Sequence, residues 1–382
     1  MRILVFSERL RPPYDEGIKS LTVQLACALA VRHDVLKLTT AGADDAQQGI
    51  RNVESNRLLL SPRLGGLVRD FRPEAIVYVP TACGTVFAFA RARVLRSHGR
   101  GARTALLTLQ PRPHTTWGRW AVRHLTPDLV LAQSRVSAQT LGLLGCRTAL
   151  LPPAVDTQRF RPSSAQEKAT LRAKYDLPAS ATVLTHAGHL RSKRNLTQIL
   201  ALQGVGSYHV LIVASSSTEQ ETSLLTTVRA SGATVITKYV PAVEDIYKLS
   251  DAYLFLAEED TAAIEMPLSV LEAMACNLPI VSTRFGGLPD FFAQGRGLWY
   301  WDDRKVPPPF APQTGYYGPT GGKSLLDTVQ AALARPCETR ALVESRTWAA
   351  AADALQDLLA EGPPMLRTLR EGDPGPTTAV QA

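Results

Sequence analysis

Short apolar runs alternate with amphipathic segments along both halves of the chain. The first amphipathic segment predicts a helix over 20–31, with Leu21, Leu25 and Leu29 on one face. Buried strands that alternate with helices are typical of a parallel sheet covered on both faces. The strands predicted for the first half are 3–6, 35–38, 75–79, 105–109 and 129–131.

A proline-rich break interrupts this alternation at 151–162, which reads LPPAVDTQRFRP. The pattern therefore predicts an α/β architecture with two domains, 1–160 and 161–345, whose facing strand ends form a ligand cleft. A helix over 346–361 and a disordered tail over 362–382 follow. The strands predicted for the second half are 183–185, 210–213, 234–236, 253–256 and 279–282.

One segment between the last strand and the last helix lacks either pattern. Residues 306–322 are rich in Pro, Gly and Tyr, which predicts a long loop. The run 318–324 superficially resembles a phosphate-binding P-loop, but Tyr317 stands where the Walker spacing needs glycine. Ser324 and Asp327 instead predict a helix cap.

Charge is distributed unevenly between the two halves. The 382 residues carry a formal net charge of +8, and 45% of them are hydrophobic, which excludes a disordered or fibrous chain. Residues 1–162 hold 23 basic and 11 acidic side chains, whereas 163–382 hold 19 and 23. A basic half joined to an acidic one indicates two surfaces with different partners, or simply a surplus of solvated arginine.

Cysteine usage and hydropathy favour a reducing compartment. The five cysteines are scattered without a CxxC pair, so they support neither a zinc site nor a disulfide framework. The N-terminus lacks the pattern of a signal peptide, and no apolar stretch approaches the ~20 residues of a membrane span. We therefore expect a cytoplasmic protein, either soluble or peripheral on the inner face of the membrane.

The segment 265–290 has the pattern of an anion-binding helix. Pro267 suits a first helical turn, whose free N–H groups bind phosphate. Glu272 on the same helix is placed to accept hydrogen bonds from ribose hydroxyls, although it would equally serve as a cap or an ion-pair partner. Asn277 can end the helix in a left-handed conformation, and Pro279 prevents its continuation.

This segment resembles the signature of glycosyltransferase family 4, whose members are retaining, nucleotide-sugar-dependent transferases of the GT-B fold. The resemblance implies two Rossmann-like domains facing across a cleft, an N-terminal acceptor domain, a C-terminal donor domain and a C-terminal crossover helix. Other segments that resemble the family, in family order, are Pro12 and Pro13 with Gly17, then 151–162, 188–194, 245–256 and Trp348.

The resemblance also implies roles for the helix that carries Glu272. Glu272 matches the second glutamate of the family's acidic motif, the expected ribose ligand. Ser269, Val270 and Leu271 match the helix start, whose amides are expected to hold the diphosphate.

Two loops contribute the remaining matched positions. Arg194 matches the family's lysine, a cation on the leaving phosphate, and its neighbour Lys193 is an alternative for that role. Gly17 matches a loop glycine whose backbone approaches the donor or the acceptor.

Three positions depart from the family pattern. The first glutamate of the acidic motif falls on Ile264, with Glu265 one place later, either as a substitute that binds donor-sugar hydroxyls or as a first-turn residue favoured by the helix dipole. His189 replaces the arginine of the phosphate loop, as a donor to phosphate when protonated or as a structural histidine. Gln110 stands where the family has a histidine, with His114 close by.

The acceptor side is less defined by the sequence. Basic residues interleave with tryptophans over 111–124, which fits an anionic membrane surface, an anionic acceptor or a solvated basic face. Nucleic acid fits the charge, but no recognised module is present, so we predict none.

These observations predict a retaining glycosyltransferase that moves a sugar from a nucleotide-diphospho-sugar to a glycan, a lipid-linked or a small-molecule acceptor. We expect no permanent cofactor and no metal, because Asp44-Asp45 and Asp302-Asp303 are not DxD motifs. The alternative is a catalytically degenerate GT-B protein that binds a nucleotide sugar or a partner subunit. A GT-B epimerase fits less well, because the interdomain and acidic segments do not match its pattern.

Overall fold

The computed structural model describes residues 1–217, 220–257, 259–301 and 324–361. The first half forms a seven-stranded parallel sheet with the order β3-β2-β1-β4-β5-β6-β7. Its strands are β1 Arg2–Phe6, β2 Asp34–Thr39, β3 Ile50–Asn52, β4 Ala75–Tyr78, β5 Arg103–Thr108, β6 Leu129–Ala132 and β7 Thr148–Leu150. The helices that join them are α1 Gly17–Ala30, α2 Pro62–Phe71, α3 Val86–His98, α4 Thr116–His124 and α5 Arg135–Leu143.

The second half forms a six-stranded parallel sheet, within the described residues, with the order β10-β9-β8-β11-β12-β13. Its strands are β8 Thr182–Gly188, β9 Tyr208–Ala214, β10 Thr234–Ile236, β11 Ala252–Phe255, β12 Ile280–Ser282 and β13 Leu298–Tyr300. Its helices are α6 Ala165–Lys174, α7 Leu196–Leu200, α8 Thr222–Ala230, α9 Val243–Leu249, α10 Leu268–Ala275, α11 Leu288–Phe291, α12 Leu325–Leu333 and α13 Thr339–Val343.

The last helix, α14 (Trp348–Glu361), returns to the first domain. It packs on α1, and the Arg103 guanidinium donates to the Leu359 carbonyl at 2.7 Å. The chain therefore crosses between the domains twice, once after β7 and once before α14. Among the described residues, no helix is both long and apolar enough to cross a bilayer.

The structure confirms the strands predicted from apolar runs and adds three more, each three residues long. β3 has a single buried residue, Ile50, so no apolar run marks it. The α12 capping box of Ser324 and Asp327 and the left-handed Asn277 are confirmed. Helix α1 begins at Gly17, three residues earlier than predicted. The loop predicted over 306–322 and the tail predicted over 362–382 lie outside the described residues.

Candidate functional site

A cavity of about 590 Å³ lies between the two domains. Its N-terminal wall includes Gly17, Gln110 and Arg112, and its C-terminal wall includes Arg194 and Glu272. The first residues of α1 and of α10 both reach it. A ligand in this cavity would therefore contact both domains.

Arg194 is a buried cation at the cavity wall, with 5% of its surface exposed. Its Nη2 donates to the Ala262 carbonyl at 2.9 Å, and its guanidinium lies 5.5 Å from the centre of the Phe255 ring. Nε has no hydrogen-bond partner among the described residues. A Cβ on Gly188, whose φ is +152°, would lie 2.5 Å from Arg194 Nη1, so glycine makes room for the guanidinium. Burial lowers the Arg194 pKa to about 10, which leaves it charged at neutral pH.

His189 and Lys193 line the same end of the cavity. Burial, with the nearby Arg194 charge, lowers the pKa of His189 to about 4. The imidazole is therefore neutral at pH 7 before any anion arrives, although the sequence hypothesis has it donate to phosphate when protonated. Lys193 is half-exposed and pairs with Glu259. Of the two cations that the sequence left open, Arg194 is the one held rigidly at the cavity.

The start of α10 presents fewer free amides than the sequence predicts. The Val270 and Leu271 amides donate to the Pro267 carbonyl at 3.1 and 3.4 Å, and both side chains are buried away from the cavity. Leu268 and Ser269 line the cavity and open the helix. A diphosphate at this helix start would therefore meet the amides of Leu268 and Ser269, two residues earlier than Val270 and Leu271.

Glu272 lines the cavity from α10. The Tyr247 hydroxyl donates to its Oε2 at 2.7 Å. Burial raises the pKa of Glu272, an effect that the Tyr247 hydrogen bond and the Arg159 charge partly offset. Arg159, which also lines the cavity, pairs with Glu244 at 2.8 Å. The second carboxylate oxygen of Glu272 is a suitable acceptor for a ligand hydroxyl.

Gly17 and Ile264 meet across the cavity. A Cβ on Gly17 would lie 3.0 Å from Ile264 Cδ1, so the absence of a side chain lets the two domains approach closely. Both residues line the cavity. The position that carries a glutamate in the family pattern is therefore an apolar wall in this chain.

Glu265 faces away from the cavity and into the first domain. Its Oε1 accepts a hydrogen bond from Ser134 Oγ at 2.6 Å and another from Ser137 Oγ, and its backbone amide donates to the Leu109 carbonyl at 2.7 Å. Ser134 is also the N-cap of α5. Only 3% of Glu265 is exposed, and this burial raises its pKa despite the hydroxyl donors. The structure thus separates Glu265 from the other predicted site residues.

Gln110 of the first domain hydrogen-bonds to the loop before α10. Its Nε2 donates to the Ala263 carbonyl at 3.1 Å and lies 3.4 Å from the Thr261 carbonyl. His114 does not line the cavity and instead lies edge-on to Phe89, with ring centres 6.5 Å apart. Gln110 therefore occupies the cavity wall without a titratable group.

A cross-domain cluster at the cavity rim is absent from the sequence predictions. The Asp15 carboxylate accepts hydrogen bonds from the Ser216 amide and hydroxyl, both at 2.8 Å, and from Ser217 Oγ. Lys19 Nζ donates to Ser217 Oγ at 3.1 Å. Burial disfavours the charged carboxylate, but these hydrogen bonds together lower the pKa of Asp15. A separation of about 200 residues leaves no local sequence signal for this contact.

Six of the nine predicted site residues therefore share one cavity. The cavity brings together Gly17, His189, Lys193, Arg194, Ser269 and Glu272 and leaves out Glu265, Val270 and Leu271. Among the described residues, no group of three or more His, Cys, Asp or Glu is arranged to hold a metal ion. The cavity wall thus carries a buried cation, a helix start and a carboxylate.

The segment that carries most of this site is similar to a known protein family. Residues 183–311 match the model of the family described as glycosyl transferases group 1. This range holds β8 from its second residue, all of β9 to β13, and every predicted site residue except Gly17. A D-inositol 3-phosphate glycosyltransferase of Saccharomonospora viridis is 30% identical over 154 residues, which are 36% of this chain and 34% of that protein. The chain thus matches only about a third of that curated relative's length.

Solved structures extend the likeness to the whole fold. An Anabaena protein, Alr3699/HepE, solved in complex with UDP and glucose, superposes with a TM-score of 0.68 at 13% identity, covering 94% of this chain and 99% of that one. A glycosyltransferase from Rickettsia africae superposes with a TM-score of 0.72 at 13% identity, covering 94% and 97%. The fold is GT-B.

We expect the binding of a diphosphate to be coupled to proton uptake at His189. A diphosphate beside the neutral imidazole raises its pKa, so binding takes up a proton when the pH lies between about 4 and the pKa of the bound state. We expect the ratio of the wild-type to the His189→Gln affinity for inorganic pyrophosphate to increase as the pH is lowered from about 8 to about 6, by at most tenfold per unit, because the titration of pyrophosphate itself is common to both proteins. Calorimetry in buffers of different ionisation enthalpy measures the uptake.

The matched variants are His189→Gln and His209→Gln. His209 lies on β9, where it bonds to Thr234 Oγ1 at 2.8 Å, away from the cavity. Loss of proton uptake in His189→Gln alone supports the assignment. Equal uptake in wild type and His189→Gln contradicts it.

Proposed function

We propose that this protein is a retaining glycosyltransferase that transfers a sugar from a nucleotide-diphospho-sugar to a glycan, a lipid-linked or a small-molecule acceptor. The observation that carries the proposal is the buried Arg194 guanidinium beside the start of α10, in a cavity shared by both domains. The match of 183–311 to glycosyl transferases group 1 supports it. The UDP and glucose in the HepE complex support a nucleotide-sugar donor. The resemblance to family 4 is the basis for retention.

Each part of the donor has a counterpart in the cavity. Glu272, in the cavity wall, accepts hydrogen bonds from the ribose hydroxyls. The diphosphate lies at Arg194, the Leu268 and Ser269 amides and His189. The donor sugar then points towards Gly17, Ile264 and the first domain, where the acceptor enters.

The chemical step places negative charge where these groups are fixed. When the anomeric C–O bond breaks, the bonding electrons stay on the nucleoside diphosphate. Arg194, which is buried in the cavity wall, and the helix amides stabilise that charge without reorganising. These cationic and dipolar groups are the basis for proposing a metal-independent reaction. The five free thiols fit a cytoplasmic location.

The proposed activity is tested by hydrolysis of the donor without an acceptor. A thermal-shift panel of UDP, GDP, ADP and TDP first identifies the nucleotide, which adds about 2.7 kcal/mol of stability at 100 times its dissociation constant. We then expect slow release of that nucleoside diphosphate from a matching nucleotide sugar, at the same rate with and without EDTA. Release that EDTA abolishes would contradict metal independence.

A second candidate follows from Ile264. This apolar side chain fills the place of the family's first acidic-motif glutamate and packs against Gly17. A degenerate GT-B protein that binds a nucleotide sugar or a partner subunit without turnover would tolerate that loss. Nucleotide binding without any release of nucleoside diphosphate would support this candidate instead.

The contribution of Arg194 is tested by its removal. Loss of one preorganised donor costs ~10²–10³ in turnover, and we expect a loss of that size for Arg194→Ala. Arg194→Lys keeps a positive charge but loses the planar guanidinium fork, so its turnover should lie between those of the wild type and Arg194→Ala. Arg229→Ala, on α8 and outside the cavity, is the control. Unchanged turnover in a folded Arg194→Ala variant would refute the assignment.

The contacts of Glu265 support a different role from the one that the family pattern suggests. Its carboxylate bonds to the start of α5 in the first domain, while its neighbour Ile264 lines the cavity. The Arg135 amide donates to Asp290 Oδ2 at 2.7 Å in the same region. Glu265 is therefore a positioning residue that fixes the loop before α10 against the first domain.

A double-mutant cycle across the domains tests this role. We expect Glu265→Gln to lower the free energy of unfolding by about 1–3 kcal/mol, because a buried hydrogen-bond network loses its charged acceptor. Ser137→Ala should couple to it by about 0.5–3 kcal/mol. Denaturant unfolding measures the four stabilities. Donor binding should weaken no more for the nucleotide sugar than for the nucleotide alone.

Two outcomes contradict the positioning role of Glu265. Additive effects of Glu265→Gln and Ser137→Ala would show that the carboxylate does not act through α5. A selective loss of affinity for the nucleotide sugar would return Glu265 to the sugar-binding role that its sequence position suggests.

A further inference from the structure

An exposed aromatic and arginine face lies on the first domain, outside the cavity walls except at Arg112. Trp117 and Trp120 on α4 are 67% and 59% exposed, and Phe87 at the start of α3 is 55% exposed. The buried face of α4, formed by Gly118, Ala121 and Val122, already packs on the domain. The aromatic side chains therefore have no role in the core, and large exposed apolar groups of this kind mark interaction sites.

The three aromatic side chains belong to one patch. Trp117 and Trp120 are three residues apart, so they share a face of α4. Helices α3 and α4 pack together, and a Cβ on Gly118 would lie 3.5 Å from Val86 Cγ2, next to Phe87. The patch thus spans the starts of two neighbouring helices.

The segment that carries this patch is rich in arginine and contains no acidic residue. Residues 75–127 contain eight arginines and no aspartate or glutamate. Arg91 and Arg96 pair with carboxylates from outside that segment. Arg112, Arg119 and Arg123 are exposed and, within the described part of the chain, make no ion pair with a carboxylate. Their charges are therefore available to an anionic partner.

We propose that Phe87, Trp117 and Trp120 with Arg112, Arg119 and Arg123, here the docking face, bind the protein to an anionic lipid bilayer. Tryptophan and phenylalanine insert at the level of the headgroups, while arginines meet anionic lipid phosphates. The face lies on the outer side of a helix and not along a groove, which fits a planar surface better than a nucleic-acid strand.

The docking face also leads to the cavity. Arg112 lines the cavity beside Gln110, and α4 begins four residues later at Thr116. A lipid-linked acceptor held in the bilayer would therefore enter past Arg112. This last step rests on the proposed function, whereas docking itself requires no turnover.

Sedimentation with lipid vesicles tests docking separately from activity. We expect the wild type to bind phosphatidylcholine vesicles that contain roughly one quarter phosphatidylglycerol and to bind pure phosphatidylcholine at least about tenfold more weakly. Raising the salt concentration should weaken the binding to anionic vesicles. The tryptophan fluorescence should shift to the blue on binding, because the indoles leave water.

Two double variants separate the aromatic and the charged contributions. Trp117→Ala with Trp120→Ala, and Arg119→Gln with Arg123→Gln, should each weaken binding to the anionic vesicles by about tenfold or more. The controls are Leu143→Ala, an 82% exposed residue on α5, and Arg229→Gln with Arg335→Gln in the second domain. Because the replaced side chains are exposed, thermal unfolding of all variants should match the wild type.

Several results would overturn the docking proposal. They are equal binding to both kinds of vesicle, no loss in either double variant, and an equal loss in the controls. Binding of single-stranded RNA by this face, without vesicle binding, would replace a bilayer with a nucleic acid. Nucleotide binding in the thermal-shift panel is measured on the same variants and should be unchanged, so failure of docking does not affect the proposed activity.

Discussion

The central physical constraint in this molecule is a buried positive charge with too few partners. Arg194 has one carbonyl at 2.9 Å, one aromatic face and no carboxylate among its described contacts. Burying a cation costs several kcal/mol unless it is paired. Gly188 gives the guanidinium room at the cavity wall, and the loop before α10 supplies the carbonyl. A bound diphosphate would supply the missing anion, which links the stability of this loop to ligand binding.

The position of that loop depends on contacts between the domains. Glu265 of this loop accepts a hydrogen bond from Ser134 at the start of α5, and Gln110 donates to the Ala263 carbonyl of the same loop. Asp15 joins the opposite rim to the loop after β9. These contacts bring Gly17 against Ile264 and set the width of the cavity. The Glu265 carboxylate is buried, whereas the Asp15 cluster is half-buried.

Much of the fold was predictable from local pattern, because each long strand is a continuous apolar run. The three strands that this pattern missed, β3, β7 and β13, are short, and β3 and β7 carry one buried residue each. β13 follows a helix of only four residues, Leu288–Phe291, which is too short to show helical periodicity.

The candidate site, too, was predictable only in part. Arg194 lies in a short 3-10 turn between β8 and α7, and Glu272 lies on α10. Both were predicted as site residues from the resemblance to family 4, and both line the cavity. Residues 264 and 265 lie in the irregular segment before α10, where neighbouring side chains point in different directions. Ile264 therefore lines the cavity and Glu265 leaves it. The contact between Asp15 and Ser216 joins residues about 200 positions apart and depends on tertiary structure alone.

The most direct test of this account is a crystal structure with the nucleotide sugar that the thermal-shift panel identifies. The account predicts that the diphosphate lies within hydrogen-bond distance of the Arg194 guanidinium and the Ser269 amide, with ribose hydroxyls on Glu272 and the sugar against Ile264. A diphosphate bound away from Arg194, or a sugar hydroxyl on the Glu265 carboxylate, would contradict it.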